Sequence, residues 1–293
     1  MSSGQPLVSV GIPFRNEERH LAAAVRSVLA QTWTNLEVLL VDDGSTDGSL
    51  AIARSLRDPR VTVTSDGLRR HLPARLNEIA KRARGELVAR MDGDDLAHPD
   101  RIRRQVAALA SAGPACDAAG TWAALVDEND ELFAVIEASL PASPLSALER
   151  GIFPHATLLA RRDWLISHPY DERLTRAEDR DLWCRTVATS RFVIVPEPLY
   201  VVRAEPRHPT FLPDYLESQR QNRILFARYG PRTMGLARTY RARVASLAKA
   251  GIMRAAVRLG VAERLVRRRG RPPTASERRL VEQALACERE LSP

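Results

Sequence analysis

Residues 86–95 read Glu86-Leu-Val-Ala-Arg-Met-Asp-Gly-Asp-Asp95, an apolar run followed by three carboxylates within four residues. The apolar run predicts a buried strand, and Gly93 permits a tight turn after it. Carboxylates this close repel one another unless they share a cation, and hard oxygen ligands suit Mg²⁺ or Mn²⁺. An acidic surface loop that caps the next helix is the alternative, because short motifs often match by chance. The position at a strand end favours a metal site.

Apolar runs and helical patterns alternate around this motif. Strands are predicted at 7–13, 37–42, 60–64 and 86–91, and helices over 17–31, 49–56, 72–84 and 99–112. Strands that alternate with helices are typical of α/β proteins with a Rossmann-like, doubly wound and mostly parallel sheet. Ligands bind such sheets beyond the carboxyl ends of the strands. We therefore expect the polar segments 15–17, 42–43 and 92–95 to converge.

The rest of the chain divides into two parts. Residues 116–202 are less regular, with short strands predicted at 119–126, 133–137, 157–160 and 192–195, a hairpin turn at 127–130 and a helix over 179–189. From Tyr215 onward the sequence predicts helices, broken at 230–231 and 270–273. We therefore predict a first domain of residues 1–213, with halves at about 7–115 and 116–213, and a helical, basic carboxyl-terminal extension of residues 214–293.

Positive charge is concentrated in that extension. The 293-residue chain has a formal net charge of +8, but residues 214–293 contain 18 Lys and Arg against 7 Asp and Glu, a net of +11. Nucleic acid, an anionic membrane and phosphorylated substrates are the partners that a basic balance suggests. Because the first 213 residues are slightly acidic, that suggestion concerns the extension. A hydrophobic content of 44% excludes a mainly disordered or collagen-like chain.

Residues 251–269 of the extension are predicted to form one basic amphipathic helix. Arginines crowd most of its surface, and one face is apolar, formed by Ile252, Ala255, Ala256, Leu259, Ala262 and Val266. Two interpretations remain open: peripheral contact with an anionic membrane, or packing on the first domain with the arginines in solvent. Nucleic acid binding is less favoured, because interleaved aromatic residues are lacking.

Cysteine content and hydropathy favour a cytoplasmic location, with contact at the inner face of the membrane as one option. Cys116, Cys184 and Cys287 are widely spaced, which argues against a C-x-x-C redox or zinc motif and fits a reducing compartment. The polar stretch 1–5 lacks the pattern of a secretion signal. The sequence also lacks an apolar run of about 18 residues, so we predict no membrane span.

Motifs along residues 7–203 resemble those of family-2 glycosyltransferases, which have the GT-A fold. They follow the family's order and spacing, and the most distinctive are Arg15-Asn-Glu17, Val41-Asp-Asp-Gly-Ser-Thr-Asp47, Asp92-Gly-Asp-Asp95, Tyr170-Asp-Glu172 and Ala177-Glu-Asp-Arg-Asp-Leu-Trp183. The resemblance implies a nucleotide-diphosphate sugar as donor, a divalent metal ion (Mn²⁺ or Mg²⁺) and inversion at the anomeric carbon.

The resemblance also implies roles on the donor side. Pro13, Arg15 and Glu17 line the base and ribose pocket, and Asp43 pairs with the base. Arg15 stands where many members have an aromatic residue, and a guanidinium plane can also stack on a base. Arg75 is expected to reach a phosphate, although residues 74–77 contain one residue more than the usual family motif.

The acidic motif takes the metal-binding role in this comparison. Asp92, with Gly93 beside it, contacts the ribose or the metal side, and Asp94 binds the metal ion that bridges the diphosphate. Asp95 supports the same loop and completes the predicted set of metal-binding carboxylates.

Direct displacement needs a base on the sugar face opposite the leaving group, so the base must come from a remote segment. The resemblance implies Asp179, with Glu178 beside it. A carboxylate that only stabilises the amino end of a helix is the alternative. His155 is predicted to face the acceptor or the metal, or to be structural.

The sequence therefore predicts an inverting, metal-dependent transfer of a sugar to a hydroxyl of a saccharide or lipid-linked acceptor, in the synthesis of surface polysaccharide or glycoconjugate. Two alternatives remain. A sugar-1-phosphate nucleotidyltransferase would usually carry a glycine-rich phosphate loop, which residues 11–17 lack. A non-catalytic nucleotide-sugar-binding scaffold is disfavoured by the complete set of carboxylates.

Overall fold

The predicted alternation of strands and helices occupies the amino-terminal part of the fold. The structure is a computed structural model that describes residues 5–140, 142–205 and 208–290; residues 1–4, in the polar amino-terminal stretch, and the side chain of Cys287 lie outside the description. The elements of this part are β1 (Val8–Phe14), α1 (Leu21–Leu29), β2 (Leu36–Asp42), α2 (Ser49–Ser55), β3 (Val61–Ser65), α3 (His71–Arg82), β4 (Leu87–Arg90), β5 (Leu96–Ala97) and α4 (Arg101–Ser111).

The following part combines antiparallel strands with short helices. Its elements are β6 (Ala118–Val126), β7 (Leu132–Ile136), α5 (Pro144–Arg150), a 3-10 turn (His155–Thr157), β8 (Leu159–Arg161), α6 (Arg162–Ser167), α7 (Glu178–Thr186) and β9 (Phe192–Arg203). The predicted hairpin turn at 127–130 is confirmed by the Asp130 N–H, which donates to the Asp127 carbonyl over 3.0 Å. Strand β9 is much longer than predicted, because it pairs along β6 and then with β5.

One sheet contains all the strands of the described residues, in the order β3-β2-β1-β4-β8-β6-β9-β5, with β7 paired to β6. Strand β1 is parallel to both β2 and β4, and β3 is parallel to β2. Strand order therefore reverses between β1 and β4, where ligands bind in sheets of this kind. The predicted α/β class with a Rossmann-like, doubly wound sheet is confirmed.

The core lies on both faces of the parallel strands. Every residue of β1 and β2 is buried, as expected for strands that helices cover on both sides. Leu21, Val25 and Val28 of α1 belong to the apolar cluster on one face, and Ile79 of α3 belongs to the cluster on the other. The carboxyl ends of β1, β2 and β4 are thereby fixed side by side.

The carboxyl-terminal extension consists of α8 (Phe211–Met234), α9 (Leu236–Arg258), α10 (Ala262–Val266) and α11 (Ala275–Glu290). The predicted break at 270–273 is found, but the predicted break at 230–231 is wrong: α8 continues through Pro231 and ends before Gly235, whose φ is +79°. Gly230 packs against α9, and a Cβ on it would lie 2.5 Å from Thr239 Oγ1. Contact between the two helices therefore holds this segment helical.

The prediction of one amphipathic helix over 251–269 is also wrong. Helix α9 ends at Arg258, because Gly260 adopts a left-handed φ of +68° before α10 begins. Ala256 and Val266 are buried, whereas Ile252 and Leu259 are exposed. The predicted boundary at 213/214 falls in the first turn of α8. Helix α8 packs on α5 and α7. Among the described residues, no helix is long and apolar enough to cross a membrane.

Two glycine-to-alanine substitutions should change stability in opposite directions. A Cβ on Gly120 of β6 would lie 2.3–2.6 Å from three ring atoms of buried Phe153, so we expect Gly120→Ala to destabilise the protein by about 1–3 kcal/mol. Gly251 of α9 faces open space, so Gly251→Ala should stabilise by about 0.5–1 kcal/mol through the lost flexibility of glycine. Urea unfolding measures both, and equal effects would contradict this packing.

Candidate active site

Three carboxylates meet at the carboxyl end of β4. One oxygen each from Asp92, Asp94 and Asp95 lies within 4.8 Å of the others. We call these three residues the acid cluster. Asp95 is buried, while Asp92 and Asp94 are half-buried. Such a set of closely spaced oxygen donors fits a hard divalent cation such as Mg²⁺ or Mn²⁺.

Neighbouring side chains fix the acid cluster in place. Arg90, at the last position of β4, donates to both carboxylate oxygens of Asp92, over 3.0 and 2.6 Å. The Arg203 N–H at the end of β9 donates to Asp95 over 3.0 Å. The Asp92 N–H donates to the Tyr200 hydroxyl over 3.0 Å. Strand β9 therefore holds the loop that the sequence placed after β4.

Burial and the crowding of negative charges raise the pKa values of carboxyl groups in and beside the acid cluster. Burial, and then the charge of Asp92, raise the pKa of Asp94 to about 6. Burial, Asp94 and Asp92 raise the pKa of Asp95 well above its usual value. Burial and the same two aspartates raise the pKa of Glu17 to about 9. A bound cation would relieve this repulsion, which is an independent reason why the donor set fits a metal ion.

The predicted convergence of segments 15–17 and 92–95 is found. A Cβ on Gly93 would lie 3.4 Å from Glu17 Cγ, so the two loops touch. Pro13 is buried at the end of β1, and the Glu17 N–H donates to Ser49 Oγ over 2.7 Å. The Nε atom of Arg15 is buried and has no hydrogen-bond partner within the described ranges. A buried guanidinium donor without a partner is unusual in a folded protein, which marks Arg15 as a residue of interest at this edge of the sheet.

Asp43 is positioned by three donors from the neighbouring segment. Its N–H donates to the Phe14 carbonyl over 2.9 Å, and its carboxylate accepts from the N–H groups of Arg70 (2.7 Å) and His71 (3.1 Å). Nε of Arg75 donates the third bond, over 3.0 Å. The carboxylate therefore lies at the end of β2 in a single orientation.

Arg75 does not have the environment expected of a phosphate ligand. Its side chain is fully buried and also pairs with Asp66 at 2.7 Å and Glu78 at 2.9 Å. With three carboxylate partners and no exposed surface, it holds Asp43 and has no free donor directed to solvent. Its expected phosphate contact has no support in this geometry.

The carboxylates of Glu178 and Asp179, at the amino end of α7, have different environments. Glu178 is buried, and its Oε1 lies 3.4 Å from Nδ1 of His155, whose Nε2 lies 2.8 Å from the Tyr170 hydroxyl. Burial opposes its charge, but His155 and Arg90 prevail and lower the pKa of Glu178. Asp179 is half-buried, and no partner for its carboxylate is found among the described residues. The two neighbouring carboxylates therefore differ both in burial and in pairing.

Arg90 connects the acid cluster with α7. Its guanidinium is paired with Asp92 and also interacts electrostatically with Glu178 and Tyr170. The sequence predicts no role for Arg90 or Tyr200, and Tyr170 enters the prediction only as part of the motif Tyr170-Asp-Glu172. An arginine inside the otherwise apolar run 87–91 was the available signal for Arg90, whereas nothing in the local sequence pairs Tyr200 with a loop 108 positions away.

Helix α8 of the extension holds α7 through Asp181. This aspartate is 1% exposed and accepts from Nε of Arg185 (2.8 Å), Nη1 of Arg228 (2.9 Å) and the Tyr229 hydroxyl (2.7 Å). Arg228 and Tyr229 belong to α8. The helix that carries Asp179 is therefore oriented by the carboxyl-terminal extension.

Comparison with known proteins assigns the family. Residues 9–167 match the family model described as "Glycosyl transferase family 2". The chain belongs to glycosyl transferase family 2. It is 36% identical over 213 residues to the "Putative glycosyltransferase EpsE" of Bacillus subtilis (strain 168), covering 70% of this chain and 75% of that protein. It is 28% identical over 189 residues to the "Putative colanic acid biosynthesis glycosyl transferase WcaA" of Escherichia coli (strain K12), covering 62% and 66%.

Solved structures of glycosyltransferases share the fold of this family member. A crystal structure of S. aureus TarS 1-349 in complex with UDP has a TM-score of 0.54 at 20% identity, covering 82% of this chain and 70% of that one. The mannosyltransferase PcManGT from Pyrobaculum calidifontis, in complex with GDP-Man and Mn²⁺, has a TM-score of 0.59 at 19% identity, covering 98% and 87%. The GT-A fold and the glycosyltransferase class predicted from the sequence are confirmed.

Removing the Asp181 carboxylate should weaken the protein substantially. Asp181→Asn leaves the donors of Arg185, Arg228 and Tyr229 facing a neutral amide at a buried position, and we expect a loss of about 1–3 kcal/mol in the free energy of unfolding. Chemical denaturation followed by circular dichroism measures it. Arg238→Gln is the matched control, because it breaks a half-exposed pair with Glu149 between the extension and α5 and should cost at most about 0.5 kcal/mol. Equal losses would contradict a special role for Asp181.

The raised pKa of Glu17 predicts a pH-dependent stability. Folded protein without added metal keeps a proton on Glu17 up to a pKa of about 9, whereas the unfolded chain releases it near about 4.3. The folded state therefore binds more protons in between, and the stability that this group contributes is lost as pH rises towards 9. Urea unfolding at pH 7 and pH 9 should show a decline in the wild type that is smaller in Glu17→Gln and is reduced by added Mn²⁺. A wild type that gains stability relative to Glu17→Gln would contradict it.

Proposed function

We propose that the protein is an inverting, metal-dependent glycosyltransferase that moves a sugar from a nucleotide-diphosphate sugar to an acceptor hydroxyl on a saccharide or lipid-linked molecule. The observation that carries the proposal is the position of Arg90. It pairs with Asp92 of the acid cluster and faces Glu178 at the amino end of α7. One site is therefore proposed to contain two parts. The first is the sheet edge that would bind the donor, and the second is the carboxylate of Asp179.

The donor would bind along the carboxyl ends of β1, β2 and β4. Pro13, Arg15 and Glu17 are proposed to line the base and ribose pocket, and Asp43 to accept from the base. Support comes from the unpaired Nε of Arg15 and the fixed orientation of Asp43. The bound UDP of TarS and GDP-Man of PcManGT belong to those proteins, and they support the same ligand class here. We propose Arg75 as a positioning residue for Asp43.

The acid cluster is proposed to hold the divalent metal ion. Asp94 would be the principal ligand, with Asp92 and Asp95 beside it and Gly93 forming the turn between them. A bound Mn²⁺ or Mg²⁺ acts as a Lewis acid that neutralises charge on the leaving diphosphate. Arg90 would orient Asp92, and Arg203 would hold the loop, because both donate to it directly.

Asp179 is proposed as the general base. Its carboxylate would take the proton of the acceptor hydroxyl as that oxygen attacks the anomeric carbon opposite the leaving group, which inverts the configuration. Glu178 is proposed to position the site, because His155 and Arg90 hold it in the charged form. His155 belongs to the same buried set on the acceptor side, between Glu178 and Tyr170.

The names of related proteins support a role in polysaccharide or glycoconjugate synthesis. The name of WcaA places that protein in colanic acid biosynthesis. The name of ExoO of Rhizobium meliloti (strain 1021), which is 33% identical over 108 residues, places it in succinoglycan biosynthesis. A cytoplasmic location is proposed with it, supported by the free thiols of Cys116 and Cys184. Peripheral contact with the inner face of the membrane through the basic extension completes the proposal.

Loss of the principal metal ligand should abolish donor binding that depends on metal. We expect UDP or GDP, whichever stabilises the wild type with Mn²⁺ in a thermal-shift assay, to give no shift with Asp94→Ala or after addition of EDTA. Asp163→Asn is the control, because that carboxylate is 98% exposed and distant from the acid cluster in the fold. Binding that survives both treatments would overturn the metal site.

Loss of the base should affect turnover more than donor binding. Asp179→Asn should lower kcat for sugar transfer by about 10²–10⁴-fold and leave the nucleotide thermal shift intact. Product configuration, read by NMR of the anomeric proton, should be inverted in the wild type. Retained configuration, or full activity of Asp179→Asn, would refute the mechanism, and nucleotide binding without turnover of any donor would favour a non-catalytic scaffold.

A further inference from the structure

Helix α9 contacts the protein through one face only. Its buried residues are Thr239, Ser246, Ala250, Met253 and Ala256, which recur at helical spacing and pack towards α8. The opposite side of this long helix is exposed to solvent along its whole length. Such a face is normally polar in a monomeric protein, so its composition is informative.

The first half of this outer face is apolar. Leu236 is 76% exposed, Tyr240 69% and Leu247 55%, and Val244 beside them is 45% exposed. Spacings of three and four residues bring these side chains onto one side of the helix. The row spans about 16 Å along the axis. Four large apolar side chains in one exposed row are more than scattered surface residues.

Basic side chains share the outer face of α9, which lacks acidic residues. Residues 218–262 contain ten Arg and Lys and no Asp or Glu. Four arginines of α9 are exposed and have no carboxylate partner in the part of the chain that the structure describes: Arg241, Arg243, Arg254 and Arg258. Arg254 and Arg258 lie five helical turns beyond Leu236 and Tyr240, so they continue the same row. Apolar and unpaired basic side chains thus share one surface.

We infer that this outer face of α9 docks on an anionic lipid bilayer. The apolar row would enter the boundary between headgroups and acyl chains, while the arginines contact lipid phosphates. Charge complementarity selects this occupant. A second copy of the chain, docked face to face, would bring two sets of unpaired cations together, and the face lacks the aromatic stacking residues typical of nucleic acid sites, apart from Tyr240.

This docking rests on the membrane contact of the proposed function, and the surface that makes the contact is the outer face of α9. That surface differs from the predicted one, because Ala256, Ala262 and Val266 are buried within the protein. Helix α9 packs on α8, and α8 packs on α7, which carries Asp179. Docking through α9 would therefore hold α7 and the proposed base near the bilayer, as a lipid-linked acceptor requires.

Vesicle co-sedimentation of the full chain tests the inference without donor or acceptor. The probes are vesicles of phosphatidylcholine alone and of phosphatidylcholine mixed with phosphatidylglycerol, at low and high salt. One variant removes apolar groups (Leu236→Gln, Tyr240→Gln, Leu247→Gln), and another removes charge (Arg241→Gln, Arg243→Gln, Arg254→Gln, Arg258→Gln). The matched control changes exposed residues elsewhere (Arg54→Gln, Arg57→Gln, Ile166→Gln).

We expect the wild type and the control to bind only the anionic vesicles, and less at high salt. Each α9 variant should bind at least about tenfold more weakly, with an unchanged circular dichroism spectrum. Equal binding to neutral vesicles, unchanged binding of both α9 variants, or a wild-type dimer that the apolar variant dissociates would overturn the inference. Asp94→Ala should bind vesicles normally, so failure of the catalytic proposal would leave this result unaffected.

Discussion

Repulsion among the carboxylates at the end of β4 is the constraint on which the site depends. Three aspartates and Glu17 share a partly buried space, and burial strengthens their repulsion. Arg90 supplies a fixed positive charge within the cluster. Arg101 holds the backbone of Arg90 in place by donating to its carbonyl over 2.7 Å. Two buried arginines thus stabilise an arrangement of carboxylates that would otherwise separate.

The site joins parts of the chain that are far apart in sequence. The proposed donor-side groups follow β1, β2 and β4, whereas the proposed base stands on α7. Tyr200 of β9 accepts a hydrogen bond from the Asp92 N–H, and the buried guanidinium of Arg90 interacts electrostatically with Glu178 of α7. Contacts from β9 and α7 therefore reach the loop that follows β4.

The sequence predicted the parallel half of the fold well, because its strands are apolar runs bounded by glycine and aspartate. It also predicted the acid cluster, since three carboxylates at a strand end have a direct physical meaning. It did not predict the partners of those groups. Asp181 and Tyr229 lie 48 positions apart, and the burial of Arg75 depends on three carboxylates from different segments. The helix over 251–269 was mispredicted because apolar periodicity ignored Gly260, whose left-handed backbone ends α9.

The hydrogen bonds that Asp181 accepts from α8 limit how segments of this enzyme can be exchanged with those of its relatives. The match to the family model ends at residue 167, before α7 begins, so the helix that carries the proposed base and the support of that helix on α8 both lie outside the match. A chimera that exchanged only the last 80 residues would bury the Asp181 carboxylate without Arg228 and Tyr229, unless the incoming helix offered equivalent donors at the same turn. Residues from Tyr170 to the end of α8 therefore form one exchangeable unit, and a cut at the apparent domain boundary would divide it.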